Sequence, residues 1–199
     1  IEENPMIAWR GASRYMDERF KPAFEMELDA MRSVKYDYGL DNLQLMVPFC
    51  RTPEEGSLVT GLLNEKGVGP ASGTDLFVMV ELPSNVIEAD RFIEMMDLSG
   101  GSIGSNDLVQ TVYAVSRDDL EGYQNPIDAR SPSVKAMIRD IVGKFNSKGM
   151  EIGICGQAPS DFPDEFPAFL VDCGITSISV TPDTAVAVRG TVAEAEKRA

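Results

Sequence analysis

The chain has 199 residues, 43% hydrophobic and 25% charged, which suits a globular domain or a piece of one and excludes a disordered polypeptide. A net charge of −14 and a pI of about 4.4 disfavour nucleic-acid partners and anionic membranes, because an acidic surface repels phosphate. No apolar run approaches the roughly 20 residues that cross a bilayer.

The chain opens on Ile1 with neither a signal nor a transit pattern, and it is expected to begin partway through a longer polypeptide. A helical pattern over 16–38 comes first and stops at Gly39. Its acidic start reads as a solvated face, and Met26 and Met31, like Met95 and Met96 further on, read as core fillers. Strands are then predicted at 43–49, 76–80, 101–104, 151–154 and 177–180. Most are continuous apolar runs, as in parallel strands covered on both faces. Helical patterns follow them at 53–66, 85–96, 133–148, 161–172 and 183–197, the first with Thr52 as its N-cap and Glu55 three positions on. Gly67, Gly149 and Gly174 stand where helices should end. Residues 116–132 form a longer polar connection. This alternation predicts an α/β fold with a parallel sheet, either open and doubly wound or part of a barrel. The lack of a Gly-x-Gly-x-x-Gly turn after the first strand argues against a dinucleotide fold. Five strands are too few for a complete (β/α)8 barrel, which takes about 250 residues.

The sequence contains no His, so His-based zinc sites, Ser-His-Asp triads and Cys-His dyads are excluded within this chain. Cys50, Cys155 and Cys173 have neither disulfide nor metal-site spacing, which points to a reducing, cytoplasmic compartment. Polar residues gather where strands end: Glu81-Leu82-Pro83-Ser84-Asn85, Ser105-Asn106-Asp107 and Cys155-Gly156-Gln157. In a barrel those ends form the active-site face. Two carboxylates and a carboxamide there make a hard oxygen-donor set suited to Mg²⁺. Each residue also has a plainer reading: Glu81 as a solvated loop residue, Asp107 as the cap of the next helix, Cys155 as a small buried hydrophobe, Arg10 as an exposed cation. Cys50 and Cys173 read as structural. An arginine cluster leaves a small acidic ligand open despite the global charge.

The segments Asn4-Pro5-Met6-Ile7-Ala8-Trp9-Arg10-Gly11, Pro48-Phe49-Cys50-Arg51-Thr52, Glu81-Leu82-Pro83-Ser84-Asn85, Gly104-Ser105-Asn106-Asp107-Leu108, Gly153-Ile154-Cys155-Gly156-Gln157 and Val180-Thr181-Pro182-Asp183-Thr184 resemble, in order and across essentially the whole chain, the C-terminal phosphoenolpyruvate-binding part of the phosphoenolpyruvate synthases (pyruvate, water dikinases). Pyruvate phosphate dikinase and enzyme I of the sugar phosphotransferase system share the barrel and parts of these motifs. The continuation Gln157-Ala158-Pro159-Ser160-Asp161 favours the synthases.

The resemblance implies the later portion of a (β/α)8 TIM-type barrel, as one partial domain over residues 1–199. It implies a parent enzyme that turns ATP, pyruvate and water into phosphoenolpyruvate, AMP and phosphate, using an ATP-grasp domain and a mobile phosphohistidine domain. By position, Glu81 and Asp107 correspond to ligands of Mg²⁺ (or Mn²⁺), Asn106 to a contact with substrate carboxylate or phosphate, and Arg10 and Arg117 to anion-binding arginines. Cys155 corresponds to the acid/base at the methyl carbon of pyruvate. A thiol fits that role near neutrality in a chain without His. The chain by itself is not expected to turn over, and a non-catalytic binding module on the same scaffold is the alternative. Association into a homo-oligomer is expected, because a partial barrel exposes apolar surface and strand edges. Gly101, Val109 and Cys50 depart from the family's usual Phe, Thr and Val, as does Ser131 with its neighbours, and Gly101 is expected to loosen packing beside Asp107.

Overall fold

The computed structural model describes residues 5–116 and 127–198. The elements in chain order are α1 (Ala12–Met16), α2 (Lys21–Tyr36), β1 (Gln44–Val47), α3 (Pro53–Glu65), a 3₁₀ turn (Pro70–Ser72), β2 (Asp75–Val80), α4 (Pro83–Ile87), α5 (Ala89–Met96), β3 (Gly100–Gly104), α6 (Ser105–Tyr113), α7 (Pro132–Ser147), β4 (Glu151–Cys155), α8 (Ala158–Asp161), α9 (Phe166–Cys173), β5 (Ser177–Ile178) and α10 (Ala185–Glu196). The strands form one sheet in the order β1-β2-β3-β4-β5. The order never reverses, and helix follows strand throughout. This is the singly wound topology of a (β/α)8 barrel and lacks the switch point of a doubly wound sheet. The fold is therefore α/β with a parallel sheet, and the chain carries five strands of such a barrel. Among the described residues no helix is long and apolar enough to cross a membrane.

The chain divides into two compact units, one of residues 1–79 and 87–100, the other of residues 80–86 and 101–199. In the first, β1 and β2 pair in parallel with Leu45 opposite Leu76 and Val47 opposite Val78. Burial alternates along both strands, and Met46 is 45% exposed, so these two strands are not covered on both faces as the apolar runs predicted. The helix predicted over 16–38 is broken. Pro22 has no N–H and sits at the first turn of α2, so a new helix starts there. Asp17 before it accepts from the main chain and guanidinium of Arg19, which holds its carboxyl well below the usual range. Met96 is core, but Met26 is 73% exposed on α2, contrary to its reading as a core filler. Thr52 caps α3 by accepting from the Glu55 N–H at 3.1 Å, as predicted, and the Glu55 carboxylate reaches one residue further, to the Arg51 N–H. α3 meets α5 through Gly56, where a Cβ would lie 2.4 Å from the Met96 sulfur.

In the second unit, Ile138, Ile141 and Phe145 of α7 are buried, as are Ile103, Ile152 and Phe166. β4 and β5 pair in parallel, Gly153 opposite Ser177. The helix predicted over 161–172 is two helices, because Pro163 interrupts it and Pro167 opens α9. Gly101 does not loosen its surroundings. A Cβ there would lie 3.1 Å from the Phe145 ring and from Ile152, so neighbouring side chains already close that space.

Candidate active site

β2 ends at Val80, and Glu81 follows directly. The Asn85 side-chain oxygen turns back to accept from the N–H groups of Glu81 (3.1 Å) and Leu82 (3.0 Å). The Glu81 carbonyl accepts from the Thr111 hydroxyl of α6 at 2.8 Å. Both peptide groups flanking the Glu81 Cα are thus held, and its side chain is buried, 4% exposed.

β3 passes into α6 without a loop, since Gly104 ends the strand and caps the helix. Asp107 lies in the first turn of α6 and is not its cap, which corrects the plainer reading. A carboxylate there is favoured by the helix dipole. It is 6% exposed. Ser105 donates to the Cys155 carbonyl at 3.1 Å, and the Asn106 side-chain oxygen accepts from the Gln157 N–H at 3.3 Å. Among the described residues the Asn106 Nδ2 has no hydrogen-bond partner, so the amide points its acceptor at the protein and keeps a donor.

The approach of α6 to the end of β4 explains Gly156. Its φ is 105°, and a Cβ would lie 2.3 Å from the Ser105 Oγ and 3.2 Å from the Asn106 Oδ1. The room at Gly156 is taken by α6. Gly153 does the same for Ser177, whose Oγ a Cβ would meet at 2.4 Å.

Cys155 is half-buried at the end of β4. Burial pushes its thiol above the ordinary value, a hydrogen bond from Ser102 opposes that, and the charges of Glu81 and Asp107 add to the rise. The resting thiol therefore holds its proton at neutral pH and is a donor before it is a base. Two nearly buried carboxylates acting on one thiol make a compact acidic constellation. Among the described residues no group of three or more His, Cys, Asp or Glu forms a cation cage. The donor set is two carboxylates, all hard oxygen, which fits Mg²⁺ or Mn²⁺ with the remaining shell supplied by water and ligand.

Two further proposed residues are Arg10 and Arg117. Arg10 belongs to the first unit, where its guanidinium lies 4.2 Å from the Phe49 ring centroid and donates to the Met6 carbonyl at 3.0 Å. It is half-buried and engaged, not the solvated cation of the plainer reading. Arg117 lies outside the described residues, as does much of the connection over 116–132. A cavity of about 360 Å³ in the second unit is lined by Asn106, Gln157 and Gln110 among others, but not by Glu81, Asp107 or Cys155. Sequence reasoning missed the anchors Asn85, Ser105 and Thr111. Asn85, three residues after Leu82 at a helix start, carried a capping signal. Thr111 carried none.

The chain matches, over residues 1–197, a family model described as PEP-utilising enzyme, PEP-binding domain. It is 47% identical to a phosphoenolpyruvate synthase of Aquifex aeolicus (strain VF5), covering 99% of this chain and 23% of that protein. It is 46% identical to a phosphoenolpyruvate synthase of Synechocystis sp. (strain PCC 6803), over 98% of this chain and 24% of that one. The chain thus spans about a quarter of the length of these relatives. Among solved structures, a citrate lyase from Burkholderia xenovorans LB400 superposes with a TM-score of 0.57 at 13% identity. It covers 75% of this chain and 48% of that one, a likeness of fold alone.

Proposed function

The chain belongs to the PEP-utilising enzymes as their PEP-binding domain, and from that premise we propose that it is the part of a phosphoenolpyruvate synthase that binds pyruvate and phosphoenolpyruvate. In the parent protein the reaction would be ATP, pyruvate and water to phosphoenolpyruvate, AMP and phosphate, with ATP-grasp and phosphohistidine domains supplying the phosphoryl group. Glu81 and Asp107 would hold Mg²⁺ or Mn²⁺, which when bound polarises the pyruvate carbonyl and steadies negative charge on the enolate. The Asn106 Nδ2 would donate to the substrate carboxylate or phosphate. Arg10 and Arg117 would bind anionic oxygens with their planar donors. Cys155 would exchange the methyl proton. In the synthetic direction Cys155 would first give its resting proton to solvent; the thiolate then takes the methyl proton as the C–H bond breaks, and the enolate oxygen attacks phosphorus as the N–P bond of the phosphohistidine breaks. In reverse the thiol returns the proton to carbon.

The observation that supports this best is that two carboxylates, each more than nine-tenths buried, both act on the Cys155 thiol. Buried hard-oxygen donors beside a proton donor are what cation-assisted enolisation needs.

The test is Cys155→Ala in the full-length protein, with two assays on the same variant. Exchange of pyruvate methyl protons with solvent should fall by about a hundredfold or more. Phosphoryl transfer from ATP to the protein should persist, because it needs none of these residues. Proton exchange at the wild-type rate would mean that another group moves the proton.

A further inference from the structure

We infer that Thr111 is a positioning residue for the carboxylate pair, its hydroxyl setting the spacing between the main chain that carries Glu81 and the helix turn that carries Asp107. The inference rests on the reading of Glu81 and Asp107 as cation ligands. The Thr111 Oγ1 lies 2.8 Å from the Glu81 carbonyl oxygen, 3.0 Å from that of Asp107 and 3.2 Å from that of Leu108. A helical threonine ordinarily gives its single proton to a carbonyl one turn back in its own helix. Here the shortest contact is to a carbonyl 30 positions away in sequence. The hydroxyl therefore stands at the junction of the two ligand-bearing segments. It touches the main-chain oxygen of each proposed ligand residue and neither of the peptide N–H groups.

Asn85 completes the arrangement. It takes the Glu81 N–H while Thr111 binds the Glu81 carbonyl, so the main chain that carries the Glu81 side chain is held on both sides. Two carboxylates on separate elements chelate one small cation only if their backbones hold a fixed separation. Mg²⁺ tolerates little departure from octahedral geometry at about 2.1 Å. A neutral hydroxyl supplies that constraint without adding a charge that would compete with the cation. Outer residues of this kind tune affinity through the ligands they hold.

The experiment uses the full-length protein with Mn²⁺ and oxalate, without nucleotide, so that the signal reports this site. Oxalate serves as a planar dianionic mimic of the enolate. Paramagnetic resonance gives both the dissociation constant of bound Mn²⁺ and the symmetry of its shell. Thr111→Val keeps the shape and removes the hydroxyl. It should raise the Mn²⁺ dissociation constant about tenfold and change the bound spectrum. Thr111→Ala, smaller and also without a hydroxyl, should do the same, and Thr111→Ser should restore wild-type affinity and spectrum. Circular dichroism of each variant separates loss of fold from loss of site. If Thr111→Val and Thr111→Ala bind Mn²⁺ like wild type while Glu81→Gln and Asp107→Asn lose it, the positioning role is overturned and the cation site stands. An equal loss in Thr111→Ser also overturns it, since the hydroxyl would then not matter. If Glu81→Gln and Asp107→Asn bind as wild type, the cation reading fails and this inference fails with it.

Discussion

In the first unit Arg51 donates to the carbonyls of Ile7, Ala8 and Arg10 and to the Ser13 hydroxyl, and Arg10 donates to Met6. At the strand ends of the second unit the main-chain anchors beside Glu81 and Cys155 are neutral: Asn85 and Thr111 hold Glu81, Ser105 holds the Cys155 carbonyl, and Asn106 holds Gln157, while the Lys144 cation binds further along, at the Val86 carbonyl. The difference concerns where charge is used. A guanidinium with several donors can staple an irregular segment that has no ladder of its own. Beside Glu81 and Asp107 a cationic anchor would cancel the charge that a bound cation needs. Neutral anchors fix the same backbone and leave the acidic field in place; the Cys155 thiol, raised chiefly by burial, is raised further by that field.

The largest expected effect lies in the second unit. Glu81→Gln and Asp107→Asn, made singly in the full-length protein, should each lower phosphoenolpyruvate formation by about a thousandfold, several kcal/mol of lost electrostatic stabilisation. Folding stability should change less than activity, because each substitution keeps the shape of the buried side chain. A steady-state assay beside a thermal melt reads both, and a variant that melts lower with full activity would reverse the comparison.

The staple of the first unit should behave in the opposite way. Arg51→Met should destabilise the 7–13 segment by about 3 kcal/mol, and Arg10→Met, which loses the hydrogen bond to the Met6 carbonyl and the contact with the Phe49 ring, by about 1 kcal/mol. The readout is hydrogen exchange of the Ala12 amide, which donates to the Pro48 carbonyl. Equal protection in the two variants would show that Arg51 is not the principal anchor. Gly156→Ala should cost about 2 kcal/mol, because an L residue at φ 105° is strained and its Cβ meets Ser105. A denaturant midpoint unchanged from wild type would contradict the close approach of α6.

The smallest effect compares the two cysteines. Cys50 is fully buried and pushed up to about 12, by burial first and the Glu55 charge second. The unfolded thiol ionises near 9, so this group leaves stability unchanged below pH 9. Above it, stability falls by about 1.4 kcal/mol per pH unit, until the folded thiol also ionises near 12. Cys50→Val should abolish that alkaline loss, so its denaturant midpoint should rise relative to wild type as the pH climbs from 9 toward 12. At pH 8 a maleimide should modify half-buried Cys155 well before Cys50. The reverse order would mean that the first unit opens more readily than the second.

Much of this was written locally in the chain. Short runs, most of them apolar, located all five strands, the Thr52 cap began α3 where predicted, and the strand-end motifs marked Glu81, Asn106, Asp107 and Cys155. These signals are short-range, a matter of period and of the residue next to a turn. Where a proline broke the period, as at Pro22, Pro163 and Pro167, it was legible as well but was outweighed by the surrounding helical pattern. Tertiary structure alone decided what depends on approach between distant segments. Gly156 serves the packing of Ser105, Gly101 is closed over by Phe145, and Thr111, an unremarkable helical residue in sequence, reaches a carbonyl 30 positions away. A hydroxyl's partner across that distance is set by which strand end the helix lies beside, and no pattern along the chain encodes it.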